Sequence, residues 1–211
     1  MKKIFAIGDI HGCADKLYAL MERIPIDFEN DTLIFIGDYI DRGPKSFEVV
    51  SYLVDLKRRH PDIVFLKGNH EDMLQKYLEG TDRLTYLYNG GQHTLDSYLN
   101  QTKKTEFSPI PSDHLEFYKS LVLYYQTEDY IFVHAGLREN VPLEKQDPEE
   151  ILWIREDFIY SRFKFDKCVI FGHSPFSEPL VLPNKIGIDT GAVFGNLLTC
   201  VQLPDLLFFS A

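Results

Sequence analysis

Six short apolar runs in this chain stop abruptly at residues that turn the backbone or carry chemistry, and this recurrence constrains the fold more than any other feature. Residues 3–7 meet Gly8-Asp9, residues 32–36 meet Gly37-Asp38, and residues 63–66 lead to Gly68-Asn69-His70. Further on, residues 130–133 meet His134-Ala135-Gly136, residues 168–171 meet Gly172-His173, and residues 185–188 meet Asp189-Thr190-Gly191. Short runs rich in β-branched and aromatic residues, bounded in this way, read as buried strands.

Helical patterns lie between several of these runs. Leu17, Leu20, Met21 and Ile24 form a stripe at i, i+3, i+4 and i+7; Val50, Leu53, Val54 and Lys57 begin a second, and Leu115, Tyr118 and Val122 suggest a third. Asp147-Pro148-Glu149-Glu150 has the form of an N-cap, a first-turn proline and a capping-box glutamate, opening a helix expected to reach about Tyr160. Strands alternating with helices imply an α/β core, in which ligands gather at the carboxyl ends of strands. Residues 72–130 are less regular, with Asn89-Gly90-Gly91 and Pro109-Ile110-Pro111 as turn signals, and read as a helical and loop insertion near the site. The whole chain, 1–211, is expected to form a single domain around this core.

Composition narrows the partners. A formal net charge of −10 opposes nucleic-acid binding, which depends on clustered Lys and Arg. No segment approaches the ~20 apolar residues of a bilayer span, and Asp9 cuts the first apolar stretch too short for an export signal. Three cysteines without CxxC spacing fit free thiols in the cytoplasm. Oligomeric state is not legible in the sequence.

At the strand ends stand Asp9, His11, Asp38, Asn69, His134 and His173. Oxygen donors and imidazoles of this kind suit two divalent cations about 3.5–4 Å apart with a carboxylate between them. Gly8-Asp9-Ile10-His11-Gly12, Gly37-Asp38-Tyr39-Ile40-Asp41-Arg42-Gly43 and Gly68-Asn69-His70-Glu71 resemble the three signature motifs of the phosphoprotein phosphatase family, a branch of the calcineurin-like metallophosphoesterases. His134-Ala135-Gly136 and Gly172-His173 resemble its two later metal-ligand motifs, and all five occur in the family's order across residues 8–173, nearest the compact bacterial and phage members. Gly172-His173-Ser174-Pro175 lacks the second histidine of the Gly-His-x-His motif common in the wider superfamily, a feature this branch shares.

The resemblance implies an α/β fold with a central β-sandwich of two mixed sheets flanked by helices. It implies two divalent metal ions, Mn²⁺ first with Fe or Zn²⁺ as alternatives. Asp9 and His11 would hold one ion and Asn69, His134 and His173 the other, with Asp38 bridging. His70 would be the general acid, oriented by Asp41, and Arg42 the phosphate clamp; Arg155, in Trp153-Ile154-Arg155, would be a second phosphate-binding arginine. The chemistry is coherent: a hydroxide bridging two cations is a strong nucleophile at neutral pH, and a planar guanidinium fits two phosphate oxygens.

The activity this points to is a metal-dependent serine/threonine protein phosphatase acting on a phosphoprotein or a small phosphoester. The alternative is hydrolysis of dinucleoside polyphosphates such as diadenosine tetraphosphate, which would need base-stacking aromatics in residues 72–130 or 137–165. A non-catalytic binding module would have lost ligands or the acid, and none is missing. Elsewhere, His60 and His114 read as structural, and Tyr86, Tyr88, Tyr124 and Tyr125 as packing. His93 is open to a substrate contact, and Asp189 either supports a metal-bound histidine or makes a turn.

Overall fold

Alternate residues along each strand face different neighbours, and this period of two builds the layers. The computed structural model describes residues 2–101 and 110–211. One sheet contains β1 (Ile4–Ile7), β2 (Thr32–Phe35), β3 (Val64–Phe65), β9 (Thr199–Leu203) and β10 (Leu207–Ser210), in the order β10-β9-β1-β2-β3. The other contains β4 (Tyr124–Gln126), β5 (Tyr130–Val133), β6 (Cys168–Phe171), β7 (Leu180–Leu182) and β8 (Lys185–Gly187), in the order β4-β5-β6-β8-β7. Both are mixed: β1-β2-β3 and β5-β6-β8 run parallel, and the other neighbours pair antiparallel.

Ala6, Ile34, Phe132, Ile170, Ile186 and Val201 form the apolar layer shared by the two sheets. Their sequence neighbours point the other way. Phe5, Ile7, Leu33 and Phe35 share a core with α1 (Ala14–Arg23) and α2 (Ser46–Arg59). Ile131, Val133, Val169 and Phe171 pack with α7 (Pro148–Trp153) and α8 (Glu156–Ile159). The result is two mixed sheets flanked by helices, as the motifs implied. Between β3 and β4 lie α3 (Asn69–Glu79), α4 (Arg83–Tyr86), α5 (Gln92–Gln101) and α6 (Ser112–Lys119). Gly90, at φ 99°, kinks the chain between α4 and α5. The helical part ends at Lys119, and β4 is a strand of the second sheet. The turn signal at Pro109 lies outside the described residues.

Two local expectations are corrected. The helix opened by Asp147 does cap as expected, with the Glu149 amide donating to its carboxylate at 2.9 Å, but it stops at Trp153. Arg155 has non-helical backbone, φ −129° and ψ −98°, before α8 begins. The expected capping-box glutamate, Glu150, instead accepts from Arg138 at 2.6 Å. Val122 does not extend the Leu115–Tyr118 helical stripe; it bridges to Leu66 beyond α6. No helix among the described residues is long and apolar enough to cross a membrane.

Candidate active site

The strand ends converge, and the backbone is strained where they do. Five of the seven non-glycine residues with positive φ among the described residues belong here: His11 (46°), Asp38 (52°), Asp41 (71°), Arg42 (65°) and His173 (63°). Each such conformation costs about 1–3 kcal/mol and survives only where its surroundings impose it. Two glycines permit the convergence. A Cβ on Gly68 would overlap Asp38, and one on Gly172 would overlap the Asp9 carboxylate.

Asp38 stands at the centre. Its Oδ2 lies 3.4 Å from His11 Nε2, and its Oδ1 lies 3.4 Å from His134 Nε2. His11, Asp38 and His70 form one potential metal-holding group; Asp38, His134 and His173 form another, with Asp38 common to both. Asn69 Oδ1 is 2.9 Å from both His134 Nε2 and His173 Nδ1. Asp9 accepts from the His173 amide at 3.0 Å, which ties the first motif to the last. Sequence reasoning placed His70 outside the ligand set; its proximity to Asp38 adds it to the first group by distance, while its hydrogen bond to Asp41 sets it apart.

Hydrogen-bond bookkeeping shows that the cluster suits cations. A carbonyl only accepts, so the Nδ1–H of His11 donates to Ile40 O (2.8 Å), and that of His134 donates to Ile36 O (2.9 Å). In the neutral rings, both Nε2 lone pairs then face inward. The His134 lone pair meets Asn69 Oδ1 and Asp38 Oδ1, so acceptors face acceptors. A cation in their midst resolves the conflict, as does a proton on His134 Nε2, which Asp38 favours. His70 Nε2 and His173 Nε2 are buried without a hydrogen-bond partner among the described residues.

Electrostatics agree. Burial, followed by Asp189 and Asp38, holds the Asp9 carboxyl well above the usual carboxylate range. Burial pushes Asp189 up to about 6. Burial also acts on Asp38, but His134 and His70 outweigh it and hold that carboxyl well below its ordinary range. Burial pushes His11 down to about 3 and His173 to about 2, so both imidazoles are neutral donors. At His134, burial is outweighed by Asp38, and its affinity for a proton is raised. Crowded acids and bare imidazoles are a donor set for divalent cations.

His70 is fully buried, and its Nδ1 contacts Asp41 Oδ2 at 2.7 Å. The other Asp41 oxygen accepts from Tyr86 Oη (2.9 Å) and Thr94 Oγ1 (2.6 Å). Arg42 Nη1 reaches His11 Nε2 at 2.8 Å, so the guanidinium lies against the cluster. Arg155 Nη1 donates to His173 O (2.8 Å) and Ser174 Oγ (3.1 Å), which places it at the other side. Trp153 sets its ring edge-on to His173 at 5.9 Å.

Three residues have positioning contacts that the sequence does not assign to them. Glu71 accepts from the amides of Asp38 (2.9 Å), Tyr39 (2.8 Å) and Gly68 (2.9 Å), holding the turn that presents Asp38. Its place in Gly68-Asn69-His70-Glu71 was the available signal. Tyr86, expected to pack, and Thr94 hold Asp41. His114 is a core residue bonded to Tyr98 Oη (2.7 Å), His60 stacks on Phe28, and His93 is exposed. Asp189 makes a turn, accepting from the Gly191 amide at 2.9 Å, and its charge also bears on Asp9.

The model of the calcineurin-like phosphoesterase family matches residues 2–196. A relative from Anoxybacillus flavithermus, named bis(5'-nucleosyl)-tetraphosphatase PrpE (asymmetrical), is 28% identical over 95% of this chain and 90% of its own length. A crystal structure described provisionally as a diadenosine tetraphosphatase superposes with a TM-score of 0.77 at 24% identity, covering 100% of this chain and 93% of that one. A protein serine/threonine phosphatase from Saccharomyces cerevisiae gives a TM-score of 0.67 at 19% identity, covering 96% of this chain and 72% of that one. At such identities the two structures speak for the fold alone. With the family match spanning most of the sequence and the convergent donors in place, the chain belongs to the calcineurin-like phosphoesterases, hydrolases whose fold implies divalent metals.

Proposed function

We propose that the chain hydrolyses dinucleoside polyphosphates with two divalent cations. The observation that carries this reading is the likeness, over nearly the whole chain, to a relative named as an asymmetrical bis(5'-nucleosyl)-tetraphosphatase. It thereby favours the alternative over the protein phosphatase expected from the motifs. Asp9 and His11 would hold one cation, Asn69, His134 and His173 the other, and Asp38 would serve both, in keeping with its contacts to His11 and His134. Mn²⁺ is the first ion to test, and Fe or Zn²⁺ also suits mixed nitrogen and oxygen donors. When bound, the cations supply Lewis acidity and an activated water.

The chain's own groups do the rest. Arg42 and Arg155 bind phosphate oxygens and offset their charge as it grows in the transition state. His70 donates a proton from Nε2 to the leaving oxygen, and Asp41 fixes the ring at Nδ1. Incubating the Mn²⁺-loaded protein with diadenosine tetraphosphate and, separately, with a phosphoserine peptide tests the reading. ATP plus AMP from the first, far faster than phosphate from the second, is expected; the reverse preference rejects it. The serine/threonine protein phosphatase reading stands second, supported by the likeness of Gly8–Gly12, Gly37–Gly43 and Gly68–Glu71 to the phosphoprotein phosphatase motifs.

A further inference from the structure

Phe194 is 66% exposed, which for a lone surface aromatic is unremarkable. Its setting is what distinguishes it. The ring centroid lies 5.7 Å from Arg42 Cζ, directly beside the proposed phosphate clamp. The ring is also carried on a turn that the protein holds firmly. Residues Ala192–Phe194 form one short helical turn between Gly191 and Gly195, both left-handed, and the Phe194 amide donates to Gly191 O at 2.9 Å. Lys16 reaches from α1 to donate to the carbonyls of Ala192 and Asn196. Thr190 Oγ1 donates to Leu197 O at 2.6 Å. A backbone held in this way leaves only the ring's own side-chain torsions to be ordered on binding.

We infer that Phe194 is a stacking platform for one nucleobase of the substrate, with Arg42 holding the phosphate next to that nucleoside. The inference rests on the dinucleoside polyphosphate reading. A nucleobase is joined to its phosphates through a single ribose, so an aromatic face adjoining the clamp is where the base can lie. Every base has a π-face, and stacking on an aromatic side chain tolerates any of them. Phe194 lies outside residues 72–130 and 137–165, the segments in which the sequence points to base-stacking aromatics. Tyr88 is more exposed, at 93%, but the ring set against Arg42 is that of Phe194.

The test is the ratio of kcat/KM for diadenosine tetraphosphate to that for para-nitrophenyl phosphate, which has no base or ribose. Any effect transmitted through Arg42 is common to both substrates and cancels. Phe194→Ala should lower the ratio about ten-fold, the size of a lost base–aromatic stack, and Phe194→Trp should restore it. Binding of a methylene-bridged diadenosine tetraphosphate, measured by calorimetry, should weaken by a similar factor in Phe194→Ala. An unchanged ratio and unchanged affinity overturn the platform while leaving the proposed activity intact. A wild-type protein that cleaves para-nitrophenyl phosphate but not diadenosine tetraphosphate overturns the substrate reading itself, and the platform with it.

Discussion

Asp38 and Asp41 are three positions apart, both buried and both left-handed, yet different parts of the molecule hold them. Asp38 is fixed by strand-end loops and the first turn of α3: Glu71 binds its amide, and its carboxylate faces His11 and His134. Asp41 is fixed by the helices that follow, with Tyr86 from α4 and Thr94 from α5 on one oxygen and His70 on the other. The difference separates two tasks under the proposed function: the sheets would gather the cation donors, and the helical segment would orient a proton donor beside them. Substitutions on the two sides should therefore fail in different ways.

The largest effect is expected at Asp38. Asp38→Asn removes the carboxylate common to both donor groups, and cations supply several kcal/mol of transition-state stabilisation. Activity should fall about 10³-fold or more, and metal analysis should show lost ions. His70→Asn should retain its metal and lose roughly 10²–10⁴-fold, with the greatest loss for substrates whose leaving group is a poor one. Full metal content with an equal loss across leaving groups would blur the division. Tyr86→Phe probes the helical side more gently. It should lower kcat roughly ten-fold, as loss of an outer hydrogen bond does, and stability by about 1.5–3 kcal/mol, with metal content unchanged. The smallest effect is the response to pH. Burial raises the Asp9 carboxyl and holds Asp189 at about 6, so both take up protons as pH falls and shed the charge that attracts cations. Mn²⁺ affinity measured by calorimetry should thus decline several-fold as pH is lowered through about 6, and rise again above it.

The same contrast governs what could be read from the chain. Asp9, Asp38, His134 and His173 each follow a strand that is a largely apolar run, so local pattern marked both the element and the candidate ligand at its end. The edge strands β4, β7 and β10 are short or partly exposed and lack that signature, and β9, though buried, carries no ligand at its end. The break at Arg155 was hidden because a tertiary contact to His173 O holds it, whereas the capping signal at Asp147 was real and local. Thr94 and Tyr86 lie 53 and 45 residues from Asp41, with nothing in their own segments to announce the partner. Glu71 was half legible: its bond to the Gly68 amide is a local cap, but its grip on Asp38 spans 33 residues.

The proposed function requires these strand ends to hold two cations as a pair around Asp38. The electron paramagnetic resonance spectrum of the Mn²⁺-loaded protein tests it directly. Ions about 3.5–4 Å apart should give the many-line signal of an exchange-coupled pair, reduced in Asp38→Asn. Only the signal of isolated Mn²⁺, with the same intensity in both proteins, would show that no such pair forms.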